Sequence, residues 1–114
     1  MANTFKVITK ANVTSADVIY TVAGSTTTVI LGLVLGNTTT SQVTATVSLA
    51  SDTGSRAGAN NEANQTVELV TNAPIPAGSS LEMLAGNKVV METTDALSVT
   101  GSGSTDVCLS IMEI

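Results

Sequence analysis

The sequence predicts an all-β fold, a single antiparallel β-sandwich of jelly-roll-like form built from eight or nine short strands. Three observations predict it. Apolar segments of strand length recur at intervals of roughly ten to twelve residues, separated by turns of Gly, Ser, Asn and Thr. No segment carries a 3.6-residue apolar period, and the abundance of Thr and Val opposes helix while favouring strand. Charged residues are only 11% of the chain, against about 25% in an average domain, so its surface is neutral and polar. With no Trp and a single Cys, an immunoglobulin-type core is disfavoured.

Taken in order, residues 5–9 read as a first strand, with Phe5 and Val7 on one face and Lys6 and Ile8 on the other. A polar turn over 10–17 leads to a strand over 18–22, and Ala23-Gly-Ser25 breaks that run. The most apolar strand covers 26–35. Regular alternation there puts Val29, Leu31, Leu33 and Leu35 on one face and Ile30, Gly32, Val34 and Gly36 on the other. Apolar residues on both faces predict a doubly covered strand, its second cover being the core or another subunit. The two glycines would let a neighbour approach closely.

Asn37-Thr-Thr-Thr-Ser41 is a turn by composition. Val43, Ala45, Val47 and Leu49 then alternate strictly with Thr44, Thr46 and Ser48, the signature of a half-buried strand. Residues 51–64 have no periodicity and read as an exposed flexible loop, long enough to be functional or mobile. A strand over 66–70 enters a rigid corner containing both prolines, Pro74 and Pro76, followed by Gly78. Strands over 80–84, 88–92 and 96–100 follow, separated by Leu84-Ala-Gly-Asn87 and Thr93-Thr-Asp95. Beyond the turn Gly101-Ser-Gly-Ser104, a last strand over 106–114 places Val107, Leu109 and Ile111 on one face and Cys108, Ser110 and Met112 on the other.

A chain of 114 residues is one domain, 1–114, with residues 1–10 available as an extended N-terminal arm. Its net charge is −5, and the four basic residues, Lys6, Lys10, Arg56 and Lys88, are scattered. Nucleic-acid binding needs a basic stripe and stacking aromatics, and the aromatics here are Phe5 and Tyr20 alone. No apolar run reaches the length of a membrane span, and the N-terminus carries no signal-peptide pattern. One cysteine excludes an internal disulfide.

Chemistry is equally constrained. Without histidine, the usual general base and metal ligand is missing, and a Ser-His-Asp triad is impossible. Cys108 lies between Val107 and Leu109 beside Asp106 and reads as a small buried side chain of the terminal strand rather than a nucleophile. Glu68, Glu82 and Glu92 read as solvent-facing or intersubunit members of strands, not as a hydrolytic pair. Asp52, Glu62 and Asp95 lack the spacing of a calcium loop. Neither metal nor cofactor is expected.

Three segments carry a family resemblance: the opening Met1-Ala-Asn-Thr-Phe-Lys-Val-Ile-Thr-Lys10, the block Asn72-Ala-Pro-Ile-Pro-Ala-Gly-Ser-Ser-Leu-Glu-Met-Leu-Ala-Gly-Asn-Lys-Val-Val90, and the close Leu109-Ser-Ile-Met-Glu-Ile114. Together they resemble the small β-sandwich virion structural proteins of tailed bacteriophages, those of cyanophages in particular. Ser55-Arg-Ala-Gly-Ala-Asn60 matches no pattern of that family. The resemblance implies a non-enzymatic capsid decoration or cement subunit, made in the host cytoplasm and carried in the virion. Its implied partners are the major capsid protein or other virion proteins, and its implied state is a homo-oligomer, by analogy a trimer. Phe5, Val7, Val29, Leu31, Leu33 and Leu35 are the candidate interface. A collar, baseplate or fibre-associated tail subunit is the alternative, and a receptor-binding module using loop 51–64 is a weaker one.

Overall fold

In a computed structural model, which describes residues 3–52, 65–83 and 88–114, the chain folds into two antiparallel sheets packed face to face. The strands are β1 (Thr4–Val13), β2 (Ala16–Thr21), β3 (Thr28–Asn37), β4 (Val43–Ser51), β5 (Gln65–Ile75), β6 (Ser80–Met83), β7 (Val89–Met91), β8 (Ala96–Gly101) and β9 (Thr105–Glu113). The first sheet has the order β1-β9-β3-β6, with β7 also on β3; the second is β2-β8-β4-β5.

β6 and β7 line successive halves of β3, pairing Gly36 with Ser80 at one end and Thr28 with Met91 at the other. Together they fill one strand position at the edge of the sheet. Counted that way, β1 pairs with β9, β2 with β8, β3 with β6/β7, and β4 with β5. The chain is thus a long antiparallel ribbon rolled into two four-stranded sheets. That is the jelly roll the sequence predicts.

Alternation explains most of the core. Val107, Leu109 and Ile111 of β9 point inward, as do Val43, Ala45 and Val47 of β4 and Leu97 and Val99 of β8. The β3 alternation is corrected by a β-bulge. Its register against β9 slips between Ile30 and Gly32, so Ile30, Leu33 and Leu35 are all buried, whereas Val29 and Val34 face out. One extra residue reverses the pleat for everything beyond it.

The proline corner is also placed differently. β5 does not end near Val70 but runs to Ile75, with Pro74 paired opposite Thr44. Proline is tolerated because β5 is an edge strand, where a missing N–H removes no ladder bond. Asn72, at φ 48°, forms a bulge within it, and its N–H donates to Thr46 Oγ1 at 2.9 Å. The turn itself is Pro76 to Ser79: Ser79 N–H donates to the Pro76 carbonyl at 3.0 Å, and Gly78 sits at φ 69°. A positive φ at the third turn position is what a type II turn requires.

Residues 4–10, expected as an arm, are paired along β9 from Thr4 to Lys10. The predicted loop 51–64 begins as the end of β4, and its part over 53–64 lies outside the described residues. The same holds for Leu84-Ala-Gly-Asn87.

Gly101 closes β8 in a crowded place. A Cβ there would lie 2.6 Å from the Val13 carbonyl oxygen, 2.9 Å from that of Gly103 and 2.9 Å from Thr105 Oγ1. Two of these three neighbours are backbone and cannot swing away. Gly101→Ala is therefore expected to destabilise the fold by about 2–3 kcal/mol through overpacking. Urea unfolding of the purified variant reads this; an unchanged midpoint would contradict the crowding.

Candidate interaction faces

The register of the first sheet arranges its outer face in rows. The first row is Phe5, Met112, Val29 and Val90; the second is Val7, Ser110 and Gly32. The third is Thr9, Cys108, Val34 and Glu82, and the last is Asp106, Gly36 and Ser80. The face grades from apolar at one end to acidic at the other. Phe5 is 70% exposed, Val7 64%, Val90 57% and Val34 40%. A monomer gains nothing from such side chains in water, and contiguous exposed apolar surface marks an interaction site.

The outer face of the second sheet is different. Thr46 and Thr100 lie beside Ala16, Ser48 and Ser98 lie between Val18 and Glu68, and Ala50 lies beside Ala96. Hydroxyls dominate it, and part of their capacity is used locally, as at Thr46. The sandwich therefore has one apolar and one hydroxyl-rich side.

Of the six candidate interface residues, Phe5, Val7 and Val29 lie on the apolar face. Leu33 and Leu35 do not; they are buried in the core by the β3 bulge and leave the candidate set. Leu31, partly buried, is the residue by which the register slips. Val34, Val90 and Met112 belong to the face and escaped sequence reasoning. Cys108, expected to be buried, instead faces outward and is partly exposed. With Thr9, Ala11, Val34 and Gly36 it lines an open groove of about 350 Å³. The groove's other lining residues include Asp106, whose carboxylate accepts the Asn12 N–H at 3.0 Å. Among the described residues no close neighbour meets Gly32: nothing lies within 4 Å of where its Cβ would be. The space the glycines leave opens outward.

One polar cluster ties the sheets together behind this face. Glu113 accepts from Tyr20 Oη at 2.6 Å and pairs with Lys6 Nζ at 2.7 Å, while Thr28 Oγ1 lies 2.7 Å from the Tyr20 oxygen. The Lys6 and Tyr20 bonds hold the Glu113 carboxyl below its usual pKa, against a smaller opposing effect of burial. Burial, then the bond to Glu113, raises that of Tyr20. A depressed carboxylate stabilises the fold above its unfolded pKa, near 4.3, and that contribution is lost as pH falls through the folded value. The stability of the wild type is thus expected to fall more steeply in acid than that of Tyr20→Phe. Urea midpoints followed below about pH 4 test this, and parallel curves would contradict it.

Among the described residues, no group of three or more acidic or Cys side chains is placed to hold a metal. Asp95 is buried and serves as a cap, accepting the N–H of Asp52 at 3.1 Å and of Glu92 at 3.0 Å. Glu62 lies outside the described residues. Among the described residues, no helix is long and apolar enough to cross a membrane.

The chain matches no protein-family model and no curated protein. It is similar to a chain in the structure of infectious bursal disease virus, Gx strain, with a TM-score of 0.55, 12% identity, and coverage of 99% of this chain and 33% of that one. A second likeness is to a chain of the T13 particle of the same virus, at TM-score 0.51, 10% identity, and coverage of 97% and 35%. The chain spans about a third of the length of those two. A third is to a Bacillus endospore appendage, from a family of disulfide-linked pili, at TM-score 0.45, 17% identity, and coverage of 97% and 85%. The virus-particle likenesses show the fold, an antiparallel β-sandwich.

Proposed function

We propose that this chain is a non-enzymatic structural subunit of a tailed-phage virion, a decoration or cement protein that clamps neighbouring capsid subunits through the outer face of its first sheet. One observation carries the reading: the row Phe5, Met112, Val29 and Val90, with Val7 beside it, is an apolar surface backed by a rigid sheet. A preformed apolar face on regular strands loses little entropy on docking, which suits a protein whose task is to hold others still. The family resemblance of the opening, proline-corner and closing segments supports the virion setting. So does the occurrence of this fold in chains of another virus particle. The lack of histidine leaves little catalytic inventory to argue otherwise.

The test is a density map of the intact particle. The expected result is this sandwich on the outer surface of the head, at lattice junctions, with Phe5 and Val90 against a capsid subunit. Density in the collar, baseplate or fibres would transfer the role to the tail, and absence from the particle would overturn the virion reading.

A further inference from the structure

β1 divides at Asn12 into two parts that the sandwich holds very differently. Val13 is buried, and its carbonyl oxygen sits close against Gly101. Residues 4–12 are exposed except for Ile8, which is half-buried against the core. The register against β9 is unbroken from Thr4 to Lys10 and slips between Lys10 and Val13. At that slip Asn12 takes a φ of 58°, a left-handed conformation that a residue with a Cβ adopts at a cost. Residues 4–11 are thus an arm laid on the edge of β9 and joined to the fold through one strained position.

We propose that this arm exchanges between two copies of the chain, each segment 4–11 pairing with the β9 of its partner and Asn12 serving as the hinge.

The fold itself identifies the occupant. The edge of β9 already accepts this sequence in one register, from Thr4 opposite Glu113 to Lys10 opposite Val107. A second copy offers the same strand, so exchange needs no new recognition surface. The ion pairs are rebuilt between copies: Lys6 with Glu113, 2.7 Å apart in the single chain, and Lys10 with Asp17, 3.4 Å apart. Ile8 refills the same half-buried position.

Because these contacts are equal in the two forms, the hinge and the chain concentration set the balance. Opening lets Asn12 leave the left-handed region for the extended backbone of a strand. It gives up the bond from Asn12 N–H to Asp106 at 3.0 Å and that from Ser104 Oγ to Asn12 Oδ1 at 2.7 Å. Both bonds are exposed, and water replaces an exposed partner at little net cost. A short connection under strain favours such exchange. Phe5 and Val7 return to the same outer face, so the exchange stands whether or not the virion reading does.

Thr9 and Cys108 are register partners, and they provide the test. Full-length chains carrying Thr9→Cys and Cys108→Ser are mixed with wild-type chains, unfolded in urea, refolded together at high concentration and mildly oxidised. Opposed Cα atoms lie about 4.5–5.5 Å apart, within disulfide reach. Exchange brings the new thiol of one chain beside Cys108 of the other, so the mixed disulfide dimer is expected to exceed both like-with-like dimers several-fold. A closed chain keeps its new thiol opposite its own substituted position 108, and a purely monomeric product would overturn the exchange. Chains carrying Phe5→Cys and Cys108→Ser should not link to the wild type. Position 5 pairs with Met112, about 13 Å along β9 from Cys108. Equal linkage of the two variants would mean random collision and would overturn the register. Asn12→Val, which opposes the left-handed conformation, should lower the dimer dissociation constant in sedimentation by about ten-fold or more. An unchanged constant would overturn Asn12 as the hinge. An unchanged far-ultraviolet spectrum verifies folding for each variant.

Discussion

Asn37→Leu is expected to cost about 3–5 kcal/mol, a large part of the 5–15 kcal/mol that holds a domain of this size together. The residue is buried at the end of β3, where the chain leaves the first sheet for the second. Its Nδ2 donates to the carbonyls of Ser41 at 2.8 Å, Ile75 at 2.9 Å and Pro76 at 3.2 Å. Its Oδ1 accepts from the N–H of Thr39 at 2.9 Å and the Thr39 hydroxyl at 2.8 Å. One side chain therefore fastens both crossovers at that end of the sandwich, the outgoing turn before β4 and the returning corner after β5. Leucine fills a similar volume but leaves these groups without their partner, and each buried unsatisfied group costs about 1–3 kcal/mol. Asn37→Asp is the sharper control. It keeps the acceptor for Thr39 but aims a carboxylate at three carbonyl oxygens, so it should be at least as damaging despite its shape. Thr39→Val, which loses one hydroxyl, should cost about 1 kcal/mol. Urea unfolding with unchanged m-values reads all three, and an Asn37→Leu midpoint near the wild type would refute the clamp.

Asn37 also shows where sequence reasoning stops. Asn37-Thr-Thr-Thr-Ser41 is legible as a turn, but two of its carbonyl partners come from the proline corner, 38 and 39 residues later. Nothing local records that meeting. Strands that alternate cleanly were legible to the face: β4 and β9 point inward the residues that their period predicts. β5 was cut short because proline reads as a stop unless the strand is known to be an edge. The left-handed positions at Asn12 and Asn72 had a faint signal, since asparagine tolerates that conformation better than its Thr and Val neighbours do. The interface was half legible. Phe5 and Val7 stood out as apolar residues on a strand with lysines on its other side. Val34 and Val90 could not be assigned outward without knowing the phase of β3 and its partner.

That phase carries the second large expected effect. Val29 and Val34 are five positions apart, an odd spacing, so an unbroken strand would put them on opposite faces. The bulge between Ile30 and Gly32 puts both outside and Ile30, Leu33 and Leu35 inside. Every residue from 29 to 35 except Gly32 is apolar, so an inserted residue leaves no mark on the hydrophobic pattern. Substitution separates the two phases. Leu33→Asp places an unpaired charge in the core and is expected to cost about 4 kcal/mol or more, enough to unfold much of the population. Val34→Lys, next along the chain, lies opposite Glu82 on the open face and is expected to change stability by no more than about 0.5 kcal/mol. Val29→Lys should also fold, its stem lying along the sheet with the ammonium in water. If the strand were regular, Val29 and Leu33 would behave alike, and thermal unfolding of the two variants decides the matter. The same substitutions divide stability from docking. Removing one buried valine from an interface forfeits about 1.5–3 kcal/mol, roughly a ten- to hundred-fold loss of affinity. A folded Val34→Lys chain should therefore be depleted from particles, and one that is incorporated like the wild type would show that the first sheet's outer face is not the clamp.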